Sequence, residues 1–127
     1  MKYLLDTHVI IWHFDIVLEL PQKIIEIIEN NENNLYISTV SLWEIAIKMN
    51  LGKLNLSIAL DDLLPKVKQS NVKILHIENG YLTRLLSLPY LHKDPFDRLL
   101  ISTAVAENLT IITIDENIQK YDVAWVW

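Results

Sequence analysis

The sequence predicts an α/β fold in which helices cover both faces of a parallel sheet. Two observations predict it. Short apolar segments rich in β-branched residues alternate along the chain with segments of helical periodicity. Residues 91–115, LHKDPFDRLLISTAVAENLTIITID, read as a loop, a helix and a strand that runs into an acid. Acids at strand ends lie on the rim where open α/β sheets bind ligands.

Taken in order, Tyr3-Leu4-Leu5 is a short apolar strand ending at Asp6, and Thr7 can cap a brief helix over residues 8–14. Residues 15–20 are a connection. Pro21 starts an amphipathic helix with Ile24, Ile25, Ile27 and Ile28 inward and Lys23, Glu26 and Glu29 outward. The run Asn30-Asn31-Glu32-Asn33-Asn34 breaks it. Residues 35–37 form the second strand, closed by Ser38 or Thr39, and residues 40–51 a helix stopped by Gly52. After a linker over 53–57, residues 58–70 contain Pro65 and so read as a kinked helix or as two pieces. Residues 72–77 are the third strand and 79–88 a short helix. In the 91–115 unit, Asp94 is an N-cap and Pro95 suits the first helical position. Leu99, Leu100, Ala104 and Val105 make an apolar stripe flanked by Ile101, and Asn108 ends the helix in the left-handed conformation. Residues 109–114 are a buried strand, 116–121 a short helix and 123–127 a last strand. No repeat, low-complexity tract or linker divides residues 1–127, so a single domain is expected.

Composition narrows the function classes. The chain has no cysteine, which excludes disulfides and thiolate metal sites and suits a reducing cytoplasm. Asp6 interrupts the first apolar run, so neither a signal peptide nor a membrane span is expected. A hydrophobic fraction of 51% and a mean hydropathy of +0.22 point to an oligomer or an obligate partner. The net charge of −5 argues at first sight against nucleic acid. Setting aside Asp6, Glu44, Asp97 and Asp115 leaves 11 basic against 12 acidic residues, a net charge of −1, so the acidity is largely those four.

Each of the four has an ordinary explanation. Asp6 can be a strand-end acid or a cap. Glu44 lies in the apolar run Leu42-Trp43-Glu44-Ile45-Ala46-Ile47, four residues before Lys48. A surface pair at that spacing is worth ~0.3 kcal/mol, but a carboxylate in a buried helix needs a partner or a metal. Asp97 follows Asp94 by three residues and can simply favour the helix dipole. Asp115 can cap the helix after it. Together they mean more, because three lie at strand ends or helix starts that parallel topology brings to one rim. Clustered carboxylates repel and are tolerable mainly around cations. An all-oxygen donor set suits Mg²⁺ or Mn²⁺, and Mg²⁺ keeps the waters that phosphodiester hydrolysis uses. His8, His13, His76 and His92 show no ligand spacing. His76 reads as a strand residue, and His92 precedes Asp94 near the rim. Trp12, Trp43, Trp125 and Trp127 read as core or interface anchors.

Four blocks carry a resemblance: Tyr3-Leu4-Leu5-Asp6-Thr7-His8, the run from Ile37 through Trp43-Glu44-Ile45, His92-Lys93-Asp94-Pro95-Phe96-Asp97-Arg98-Leu99-Leu100, and Thr113-Ile114-Asp115. In order and over the whole chain they resemble the PIN-domain ribonucleases, in particular the VapC-type toxin branch. The resemblance implies a three-layer α/β/α sandwich with a central parallel sheet of about five strands. It implies a Mg²⁺- or Mn²⁺-dependent endoribonuclease, paired with a cognate antitoxin. Asp6 and Asp97 would be the main metal ligands. Glu44 and Asp115 would complete the cluster, Asp115 through water, and Thr113 would support it by hydrogen bonding. Ile118 stands where the family often has a Phe, a departure that touches packing.

The resulting expectation is a cytoplasmic, homodimeric endoribonuclease toxin. Lys48, Lys53, Lys93 and Arg98 are candidate phosphate contacts, because they neighbour the acidic motifs, and Asp94 supports by capping. Residues 45–56 carry Ile45, Ile47, Met49, Leu51, Leu54 and Leu56, and part of this stretch is expected to meet an antitoxin helix or a second subunit. The rival is a non-catalytic module of the same fold that holds RNA or a protein without turnover. Phosphotransfer on an aspartate is remote, because Asp6-Thr7-His8 lacks the second acid of an Asp-x-Asp motif.

Overall fold

Tyr3, Leu4 and Leu5 are consecutive, apolar and all buried, which requires a strand covered on both faces. The computed structural model describes residues 1–15 and 20–127, and it puts that strand at the centre of the sheet. The chain order is β1 (Lys2–Leu5), α1 (Thr7–Asp15), α2 (Gln22–Glu29), β2 (Asn34–Ser38), α3 (Thr39–Asn50), α4 (Leu60–Gln69), β3 (Val72–Leu75), α5 (Asn79–Leu85), α6 (Pro95–Glu107), β4 (Thr110–Ile112), α7 (Glu116–Gln119) and β5 (Trp125–Val126). The five strands lie in the order β3-β2-β1-β4-β5, and every neighbouring pair is parallel. No described helix is long and apolar enough to cross a membrane.

Alternation along β1 divides the core in two. Leu5 faces one layer with Val9 and Ile10 of α1, Ile24 and Ile28 of α2, Ile45 of α3, and Leu63 and Val67 of α4. Leu4 faces the other, with Leu100, Ile101 and Ala104 of α6, Ile118 of α7 and Tyr121. Helix α5 packs on α6, where Tyr81 meets Val40 and Leu99. The result is the predicted three-layer sandwich.

Most elements fall where periodicity and capping placed them. Asp94 accepts hydrogen bonds from the backbone N–H groups of Phe96 (2.9 Å) and Asp97 (3.1 Å), and Asn108 closes α6 at φ 55°. Gly52 takes φ +70° just after α3. Residues 16–19 of the predicted connection lie outside the described residues. Asp15 before them is buried, and its carboxylate accepts from the Ser57 backbone N–H (3.0 Å), which pins the predicted linker.

Several expectations need correction. Residues 58–70 give one helix rather than two pieces. Burial of Leu63 and Val67, with Asp61 and Asp62 in the first turn and Lys66 and Lys68 in the last, outweighs the bond that Pro65 cannot donate. Helix α6 is buried all round from Arg98 to Ala104, not along one stripe. Its polar members are satisfied locally: Ser102 donates to the Tyr81 carbonyl and Thr103 to the Leu99 carbonyl. Strand β3 stops at Leu75, so His76 lies beyond it, exposed and hydrogen-bonded to the Thr39 hydroxyl at 3.1 Å. Among the described residues strand β5 pairs with Ile111 and Ile112, and Trp125 and Trp43 are exposed, which rules out the core half of the expectation and leaves the interface half open. Residues 45–56 mostly seal the chain's own core: Ile45 is fully buried, and Met49, Leu54 and Leu56 pack against the same layer. Leu51 is exposed and Ile47 half-buried, so part of the stretch stays accessible to an outside partner.

Leu4→Ala and Leu5→Ala, measured separately by chemical denaturation, should each destabilise by about 2–5 kcal/mol. A sheet covered on one face only would show that loss for one of the two.

Candidate active site

Strand order brings the site together. β1 is followed in the chain by β2 on one side and paired with β4 on the other, so the winding of the sheet reverses beside β1. Asp6 leaves β1 at this point and Thr113 leaves β4. Asp6 is 2% exposed. Its Oδ1 accepts from the Val9 backbone N–H at 3.0 Å, so Asp6, rather than Thr7, caps α1. Its Oδ2 accepts from the Thr113 hydroxyl. The same Thr113 oxygen accepts from the Asp115 backbone N–H at 3.0 Å. Burial pushes the Asp6 carboxyl above the usual range; the bonds from Thr113 and Val9 and the charge of His8 oppose this, and Asp115 adds to it.

Helix α3 supplies Glu44. Ser38 caps this helix by accepting from the Val40 N–H at 3.1 Å. Glu44 is 3% exposed, which makes it a buried carboxylate and not half of a surface pair. Its Oε1 accepts from the Thr7 hydroxyl (2.8 Å) and its Oε2 from the Lys48 ammonium (2.5 Å). The bond to Glu44 raises the Lys48 pKa against a smaller loss from burial. The charges of Glu44, Asp94 and Asp97 raise it further.

Helix α6 supplies Asp97 in its first turn. The His92 ring lies against it, with Nε2 at 3.0 Å from Oδ2. Burial pushes the Asp97 carboxyl up to about 6; the His92 bond opposes this, and the charges of Asp94, Asp115 and Glu44 add to it. Asp97 therefore feels three other acids, which puts Glu44, Asp94, Asp97 and Asp115 in one electrostatic neighbourhood. Asp115 itself caps α7, accepting from the Asn117 N–H at 2.8 Å.

The acids share a rim and a field without closing on one another. Among the described residues, no three Asp, Glu, His or Cys side chains lie where they could jointly hold a metal ion. Instead Asp6 is held by Thr113, Glu44 by Thr7 and Lys48, Asp97 by His92, and Asp115 by Asn117. The donor chemistry fits a hard divalent cation: carboxylate oxygens, no thiol, and two acids whose ionisation is resisted by burial and by neighbouring charge.

Of the proposed phosphate contacts, Lys48 reaches the acids, while Lys53 and Lys93 are exposed. Arg98 corrects the expectation. It is buried, its guanidinium donates to the Pro89 carbonyl (2.8 Å) and the Tyr121 hydroxyl (3.0 Å), and it stacks over the Tyr90 ring at 4.5 Å. Sequence reading missed the Thr7 to Glu44 bond and the involvement of Tyr121. Thr7 carried a signal in its place beside Asp6. Tyr121 carried none, since its partners lie 23 to 30 residues away.

The PIN domain family matches residues 3–124. No curated protein matches the sequence. Among solved structures the fold is similar to VapBC2 from Rickettsia felis bound to a DNA fragment from their promoter, at TM-score 0.75 and 20% identity, covering 99% of this chain and 98% of that one. DNA-bound VapBC from Salmonella typhimurium is similar at TM-score 0.72 and 17% identity, over 99% and 97% of the two chains. A toxin–antitoxin complex from Klebsiella pneumoniae is similar at TM-score 0.64 and 18% identity, over 98% and 96%. At these identities the likeness is one of fold. The family match extends over nearly the whole sequence, from β1 to the residue before β5, and with it the chain belongs to the PIN-domain family.

Proposed function

We propose that this chain is a divalent-metal-dependent endoribonuclease that hydrolyses RNA phosphodiester bonds, and that it is the toxin of a toxin–antitoxin pair. The observation that carries the reading is Asp6, a nearly water-free carboxylate at the β1/β4 crevice, which shares the charge of Asp115 with an Asp97 whose ionisation is resisted by burial and by three acids. Asp6 and Asp97 hold Mg²⁺ or Mn²⁺, with Glu44 and Asp115 completing the set. Bound there, the cation supplies Lewis-acid activation of water and offsets charge on the phosphodiester.

The chain's own groups do the rest. Thr113 orients Asp6, and Thr7 orients Glu44. The ammonium groups of Lys48, Lys53 and Lys93 draw the RNA backbone towards an otherwise negative rim. The antitoxin reading is supported by the fold's likeness to proteins solved as VapBC and toxin–antitoxin complexes. A homodimer or antitoxin would cover apolar surface that the fold leaves open, including Leu82, Leu86, Tyr90 and Leu91. One observation favours a non-catalytic RNA- or protein-binding module instead, the lack of a ready-made ligand cluster among the described residues. Such a module would bind without metal and cleave nothing.

Purified protein should cut an RNA pool with Mg²⁺ or Mn²⁺ and stop on addition of EDTA. Asp6→Asn should lower the rate about a hundredfold or more, several kcal/mol of transition-state stabilisation. Cleavage by Asp6→Asn at the wild-type rate would remove the assigned role.

The raised Asp97 pKa gives a second test. Its folded value, about 6, lies above the ordinary 3.8, so the folded chain holds this proton more tightly than the unfolded chain. The group therefore costs stability as pH rises from about 4 through about 6, and the cost is constant above that. Without metal, Asp97→Asn should melt above wild type at about pH 8, by at most about 3 kcal/mol, and the difference should vanish near pH 4. Added Mn²⁺ should raise the melting point of wild type more than that of the variant. Equal melting points at both pH values would refute the account of Asp97.

A further inference from the structure

Tyr121 lies outside the acidic cluster, yet its hydroxyl is the node of a partly buried chain that ends on Asp97. Four groups surround that hydroxyl: the Leu91 N–H (3.2 Å), the His92 N–H (3.3 Å), Arg98 Nη1 (3.0 Å) and His92 Nδ1 (2.9 Å). Backbone N–H and guanidinium groups can only donate. Three donors therefore converge on an oxygen with two lone pairs, and the hydroxyl's own hydrogen has one place to go, Nδ1 of His92. Nδ1 can accept it only when unprotonated. The ring proton then sits on Nε2, from which it is donated to Oδ2 of Asp97 at 3.0 Å.

The opposite tautomer would bring a fourth donor to the Tyr121 oxygen and set the Nε2 lone pair against a carboxylate oxygen. Arg98 holds the arrangement from behind by gripping the Pro89 and Leu88 carbonyls, which fixes the loop that carries His92. On the far side, Oδ1 of Asp97 has no hydrogen bond among the described residues. No buried side-chain polar atom there lacks a partner, so Oδ1 keeps contact with solvent on the outer side of a side chain that is 17% exposed.

We propose that Arg98 and Tyr121 are positioning residues: they fix His92 as its Nε2–H tautomer, and that ring clamps Oδ2 of Asp97 and leaves Oδ1 presented to a divalent cation. The cation is part of the function proposed above; the tautomer does not depend on it. Outer partners of ligating carboxylates commonly change metal affinity by about 10–100-fold.

The test is long-range ¹H–¹⁵N correlation NMR of the histidine rings in the metal-free protein at about pH 8, above the ordinary imidazole range. His92 is assigned by the signal lost in His92→Gln. Wild type should show the Nε2-protonated form. Tyr121→Phe keeps the ring but not the hydroxyl, and should shift His92 towards a mixture of tautomers. The same variant should bind Mn²⁺ about tenfold more weakly by calorimetry, with an unchanged circular dichroism spectrum. An Nδ1-protonated ring in wild type would overturn the proposal even if the variant failed to fold. So would an unchanged Mn²⁺ affinity in a folded Tyr121→Phe. A wild type with the Nε2-protonated ring that binds no Mn²⁺ would overturn the metal reading and the positioning role while upholding the tautomer.

Discussion

A carboxylate removed from water must be answered by hydrogen bonds or by a cation, and the rest of this structure is arranged around how Asp6 is answered. One of its oxygens caps the helix that follows it. The other accepts from Thr113, which is itself fully buried and stands at the end of the neighbouring strand. The Thr113 oxygen also takes the Asp115 N–H, so β1, β4 and the start of α7 meet at a single hydroxyl. Shifting β4 by one residue against β1 would turn that hydroxyl to the other face and strand the carboxylate. The packing of Leu4 and Leu5 into opposite layers holds the register in place.

The charges on the rim follow from the same economy of partners. Hydroxyl, imidazole and backbone N–H groups hold Asp6, Asp97 and Asp115. These donors relieve desolvation but leave negative charge in place when neutral. Lys48 is the ammonium that reaches the cluster, and it is engaged with Glu44. The raised pKa of Asp97 records its burial first, and then the charge of Asp94, Asp115 and Glu44 around it. Such a field attracts small cations and repels a polyanion.

How much was legible depended on the range of the interaction. The Asp94 cap, the Pro95 start and the Asn108 stop of α6 each involve residues within a few positions of one another, and each is present as read. The alternation of strands and helices was enough for the sandwich. Pro65 left one helix or two pieces open, and the two core residues Leu63 and Val67 hold α4 together as one. Arg98 misled. Its place between acidic residues suggested a surface phosphate contact, while Tyr121 and the Pro89 carbonyl had drawn it inside. In the apolar stretch after Glu44, Ile45 and Met49 fill a layer of the chain's own core, a use that no pattern along the chain marks.

The amino-acid sequence by itself determined the alternation of the elements and the caps of α6, since these rest on backbone propensity, periodicity and chemistry carried by neighbouring residues. The tertiary structure alone decided who answers each charge. The bond from Thr113 to Asp6 joins residues 107 apart, and that from Thr7 to Glu44 joins residues 37 apart. Both exist because strand order and helix packing place those groups side by side. No local pattern specifies that order, because the free energy that selects it belongs to the two buried layers as wholes.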